Sequence, residues 1–96
     1  MQSEGAEANK GFDATLNWKL SPQVALRPEQ FGALAYHYGN RRLVFLKSMA
    51  LVQLVRDLDD YDSVEAALAA TIEASSHHQY AEALARLANS EVLVVC

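Results

Sequence analysis

The chain has a single cysteine, Cys96, so it can form no internal disulfide. One thiol is no metal site either, and Cys96 is read as a tail thiol without a role. No apolar run approaches the roughly 20 residues that cross a bilayer. The opening Met1-Gln2-Ser3-Glu4-Gly5-Ala6-Glu7 lacks both the basic and the apolar stretch of a secretory signal. The expected location is the cytoplasm, away from membranes. Positive charge is scarce: 8 Lys and Arg stand against 12 Asp and Glu, a net charge of −4. Phosphates repel such a domain, which argues against nucleic acid as a partner.

The side chains that carry catalysis are equally sparse. The three histidines are His37, His77 and His78. Neighbouring helix positions point about 100° apart, so His77 and His78 make a poor chelate. His37 falls mid-strand and reads as a satisfied structural histidine. Asp57, Asp59, Asp60 and Asp62 cluster without the central glycine and closing glutamate of a calcium loop, and read as a solvated helix end followed by a cap. No glycine-rich phosphate loop occurs. The expectation is a protein that is not an enzyme and carries no metal or cofactor.

What remains is a globular composition, 51% hydrophobic, with length for one modest core. Residues 1–11 are polar and small and read as a mobile tail; residues 12–96 form the domain. Val24-Ala25-Leu26-Arg27 is a strand that should end at Pro28 or lie at an edge, since proline gives no N–H to a ladder. Residues 31–38 and 43–46 are β-prone, and Gly39-Asn40 between them is a tight hairpin signal. Leu34, Tyr36 and Tyr38 share one face, Ala33, Ala35 and His37 the other. Both faces carry apolar groups, so both are expected against other protein matter.

The period then changes to about 3.6. Leu51, Leu54, Val55 and Leu58 form one helical stripe. Asp62 with Glu65 resembles a capping box, opening a helix that buries Val64, Ala67, Leu68 and Ile72. Ser76 and Gln79 repeat that pattern. A third helix places Tyr80, Ala83, Leu84 and Leu87 on one side, with Glu82 and Arg86 at ion-pair spacing toward water. Glu91-Val92-Leu93-Val94-Val95 is either a short strand or a packed tail. The predicted fold is α+β: a three-stranded antiparallel sheet followed by three helices, winged helix-turn-helix-like.

That shape suggests DNA binding, but the third helix offers His77, His78, Gln79 and Arg86 against Glu82, and no lysine. Arg41, Arg42 and Lys47 bracket the third strand. They either guard an edge with charge or receive an extended acidic peptide by strand addition. An edge that pairs with a second copy is a further alternative.

The segments VALRPE (24–29), FGALAYH (31–37), GNRRL (39–43) and LKS (46–48) resemble the peptide chaperones of the mycofactocin system. The resemblance runs from about Phe12 onward and is densest in the strands. These proteins are similar to the chaperones of pyrroloquinoline quinone synthesis, the precursor-peptide recognition elements. The resemblance implies that the leader of a ribosomally made peptide binds as an extra strand, beside the third strand and against the third helix. It also implies presentation to a radical S-adenosylmethionine enzyme, which holds the iron–sulfur chemistry and modifies the peptide's C-terminal Val-Tyr. On this sequence, Leu43, Val44, Phe45 and Leu46 would supply strand pairing and pockets. Tyr80, Ala83, Leu84 and Leu87 would form the opposite wall, where they are not committed to the core. Arg41, Arg42 and Lys47 would steer an acidic leader. The expected state is a monomer or weak dimer, and the residues 92–95 are a possible competitor for the sheet edge.

Overall fold

The computed structural model describes residues 12–96; the mobile tail expected at residues 1–11 lies outside the described residues. Strands β1 (Trp18–Leu20), β2 (Val24–Glu29), β3 (Gly32–His37) and β4 (Leu43–Leu46) precede helices α1 (Met49–Asp57), α2 (Val64–Thr71) and α3 (His77–Asn89). A last strand, β5 (Leu93–Val95), follows. The architecture is α+β, and β2, β3 and β4 form the expected three-stranded antiparallel sheet in that order. A second, two-stranded sheet was not foreseen: β1 pairs with β5, Trp18 opposite Val95 and Leu20 opposite Leu93. Three-residue strands carry too few alternations to be read from pattern alone. The 92–95 run is therefore a strand, and it covers β1 rather than the larger sheet.

Alternation sets the faces of the larger sheet. Ala33, Ala35, His37 and Leu46 turn inward and are buried. Leu34, Tyr36, Leu43 and Phe45 turn outward, Leu43 and Phe45 being 58% and 57% exposed. Of the two faces expected against other protein matter, the inner one carries α1, and among the described residues nothing covers the outer one. The α1 stripe holds, with Leu54, Val55 and Leu58 buried. Leu46, Val55, Leu58, Val64, Leu84, Val92 and Leu93 close the core from sheet, helices and β5.

Several local expectations shift. The two-residue turn lies between β2 and β3, at Gln30-Phe31, where Glu29 pairs with Gly32. Gly32 has φ 151°, and a Cβ there would overlap the Leu46 carbonyl oxygen, so glycine lets these backbones approach. Gly39-Asn40 instead sits in a longer loop, closed by Arg41 in the left-handed region (φ 64°). Strand β2 runs through Pro28 to Glu29, along the sheet's edge. Helix α2 is capped by Ser63, whose hydroxyl accepts from Ala66 N at 3.0 Å, one residue later than the Asp62 pattern. Ser76 makes no side-chain cap, because the 3-10 turn Ala74–Ser76 leads directly into α3. Glu82 pairs with His78 at 3.2 Å and not with Arg86.

His37 organises the β3–β4 loop as a satisfied structural histidine. Its Nδ1 accepts from the backbone N–H of Gly39 (3.0 Å) and of Asn40 (3.1 Å). It is 6% exposed, so an apolar replacement would leave two part-buried donors without a partner. His37→Leu is expected to cost about 2 kcal/mol, which lowers a thermal midpoint by roughly 10 °C in a domain of this size. His37→Asn keeps an acceptor near those N–H groups and should restore much of the loss. Melting curves followed by circular dichroism check both.

Candidate functional site

The two edges of the larger sheet differ in what they offer. Tyr38 N donates to Gln23 O, which places residues 23, 25, 27 and 29 toward β3 and residues 24, 26 and 28 outward. Of those three, Val24 N already donates to Ser21 O, and Pro28 has no N–H. Leu26 is left as the one strand N–H directed outward along β2. On the other side, His37 N donates to Arg42 O, so residues 42, 44 and 46 face β3. The N–H and C=O groups of Leu43 and Phe45 point away from the sheet. Strand β4 thus presents two donors and two acceptors in line, and β2 is largely closed.

A cleft of roughly 210 Å³ opens beside the end of β4. It is lined by Lys47 and Ser48 between β4 and α1, by Leu51 of α1, and by Gln79, Tyr80, Ala83 and Arg86 from α3. The Ser48 hydroxyl caps α1 by accepting from Leu51 N at 3.0 Å, which fixes the near wall. The far wall follows from helical spacing, since residues 79, 80, 83 and 86 fall on one stripe. Lys47 and Arg86 make the cleft attractive to carboxylates. Among the described residues neither they nor Arg41 and Arg42 form an ion pair.

The predicted residues divide between this site and the core. Leu43, Phe45, Lys47, Arg41 and Arg42 are exposed, and Val44 is half-buried against the core. Tyr80 and Ala83 line the cleft. Leu46, Leu84 and Leu87 are 0%, 0% and 3% exposed and serve the core, so they present nothing to a ligand. Ser48, Leu51, Gln79 and Arg86 were not foreseen as lining. For Arg86 the helical spacing held the signal, but its expected partnership with Glu82 assigned it to solvent. Because β5 pairs with β1, the residues 92–95 leave the β4 edge open. Among the described residues no group of three or more His, Cys, Asp or Glu side chains could hold a metal ion. No described helix is long and apolar enough to cross a membrane.

Comparison with known proteins gives one consistent result. The sequence model of the "Peptide chaperone MftB family" matches residues 17–94. "Peptide chaperone MftB" of Mycobacterium ulcerans is 44% identical over 93 residues, covering 96% of this chain and 85% of the relative. The protein of the same name from Mycobacterium tuberculosis is 42% identical over 94 residues, with 97% and 85% covered. That of Mycolicibacterium smegmatis is 44% identical over 84 residues, with 86% and 82% covered. No solved structure matches. With the family match spanning both the open β4 edge and the α3 wall of the cleft, the chain belongs to the peptide chaperone MftB family.

Proposed function

We propose that this chain binds the leader of the mycofactocin precursor peptide by strand addition along β4 and presents it to a radical S-adenosylmethionine maturase in the cytoplasm, doing no chemistry itself. The observation that carries this reading is the contrast between edges: β4 offers an unbroken row of outward backbone groups beside a cationic cleft, whereas β2 offers a single N–H. The relatives are named peptide chaperones, which supports a peptide as the ligand. An added strand could use the two N–H and two C=O groups of Leu43 and Phe45. Four such bonds supply about 4 kcal/mol, half of the roughly 8 kcal/mol of micromolar binding. The remainder would come from apolar burial against Leu51, Tyr80 and Ala83, and from carboxylates beside Lys47, Arg86, Arg41 and Arg42.

Calorimetric titration with a synthetic mycofactocin precursor peptide tests the reading. The full-length peptide should bind, and a peptide without its leader should show no heat of binding. Equal affinity for both would move recognition out of the leader. No binding of either would remove the chaperone reading of this site.

A further inference from the structure

The outer face of the larger sheet is a second surface, distinct from the cleft. Register places Arg27, Leu34 and Phe45 in one row across it, and Ala25, Tyr36 and Leu43 in the next. Phe31, 43% exposed, packs against Phe45 with ring centroids 5.6 Å apart and the rings tilted by 41°. Tyr36 meets Tyr38 edge-on at 5.3 Å. Exposed Phe31, Tyr38, Leu43 and Phe45 adjoin the half-buried Leu34 and Tyr36 in one apolar patch, which marks an interaction surface, and this composition, aromatic with arginine, is that of interface centres.

Charge indicates what covers it. Residues 24–48 carry Arg27, Arg41, Arg42 and Lys47 against Glu29 alone, and Glu29 is paired with Arg27 at 3.1 Å. Residues 49–96 carry Arg56 and Arg86 against eight carboxylates. Two copies stacked by this face would oppose their cationic rims, which disfavours a homodimer. A different protein whose apolar patch is rimmed by carboxylates fits. Three strands at about 4.8 Å spacing and four to six residues of length give a few hundred Å². That lies well under the roughly 800 Å² per partner of a stable complex, so the contact is a transient one.

The face is also continuous with the β4 edge. A strand added there would turn every second side chain onto it, beside Leu43 and Phe45. From these observations we infer that the outer sheet face, centred on Leu34, Tyr36 and Phe45, is the docking surface for the peptide's modifying enzyme, which there contacts chaperone and bound peptide together. This rests on the reading that the chain presents a peptide to such an enzyme. Because the bound strand enlarges the face, the loaded chaperone binds the enzyme more tightly than the empty one, and by linkage the enzyme tightens peptide binding by the same factor.

The test uses the radical S-adenosylmethionine maturase as the probe, with the wild-type chain and an Arg27→Glu/Tyr36→Glu variant. Arg27 lies on the far strand β2 and Tyr36 on the central strand β3, and neither contributes a backbone group to the β4 edge. The expected result is an affinity of the loaded variant for the maturase at least ten-fold weaker, with peptide affinity within two-fold of wild type. Maturase affinity unchanged in the variant would overturn the docking surface and leave peptide presentation standing. Loss of peptide affinity would also overturn it, making the face part of the peptide site. A wild-type dimer in sedimentation that the variant abolishes would overturn it in favour of self-association. A wild-type loaded chain that does not bind the maturase at all would remove the presentation reading itself.

Discussion

Phe45→Pro is expected to abolish peptide binding in a chain that still folds. The Phe45 N–H points away from β3, so its loss breaks no bond in the native ladder. Proline is tolerated at an edge position of this kind, and Pro28 already occupies the equivalent position on β2. The added strand would lose one hydrogen bond of about 1 kcal/mol. The ring would also stand where the incoming backbone must approach and would break the neighbouring bonds. A total of about 3 kcal/mol corresponds to a loss of roughly a hundred-fold or more. Phe45→Ala separates backbone from side chain: it keeps the N–H and should weaken binding only about ten-fold. Val44→Pro is the opposite control, since the Val44 N–H faces β3 and its loss should disrupt the sheet. Calorimetric affinities, read beside thermal melts, distinguish the three. A folded Phe45→Pro chain with wild-type affinity would end the strand-addition account.

The second large effect separates two neighbours on α3. Leu84 is fully buried with Leu46, Val55 and Val64, whereas Ala83 lines the cleft. Leu84→Ala should leave a cavity and cost about 3 kcal/mol, a fall in melting midpoint of about 15 °C. Any weakening of peptide binding would then follow from unfolding. Ala83→Glu should move the midpoint by only a few degrees, because its side chain can extend into the open cleft. It should nevertheless reduce peptide affinity at least ten-fold, by filling the cleft and setting a carboxylate against an acidic leader. If Leu84→Ala melts like wild type but loses the peptide, the division of α3 into core and wall is wrong.

That division shows where the sequence was legible and where it was not. The β4 strand, the α1 stripe and the apolar side of α3 all followed from periods of two and 3.6, because burial enforces those periods. Tyr80, Ala83, Leu84 and Leu87 fall on one broad helical side, and spacing alone could not assign them. The assignment depends on where α1 sits, which is set by contacts far apart in sequence. Trp18–Leu20 was missed for the same reason, since its partner lies about 75 residues away at Leu93–Val95. Caps slipped by one residue where Ser63 competed with Asp62. The hairpin signal at Gly39-Asn40 was real but incomplete, because the loop is fixed by the His37 ring and not by the turn residues alone. The charges of Arg41, Arg42 and Lys47 were visible at once, yet the cleft also needed Arg86, which shares a helical stripe with Ala83 but was read as a solvent-facing partner of Glu82.

Pro28 bears on the solubility of such a protein. A sheet with two open edges is a bifunctional monomer: each addition creates a new end, and growth continues into fibres. Here the β2 edge keeps one outward donor, the Leu26 N–H, against the two of β4, so the larger sheet accepts a strand far more readily at one edge than at the other. A strand arriving at β4 leaves a poor template for a next one at the far edge, and growth of the larger sheet is held back. By this account Pro28 and the Val24 N–H bonded to Ser21 O, on the edge opposite the peptide, together allow the other edge to remain open.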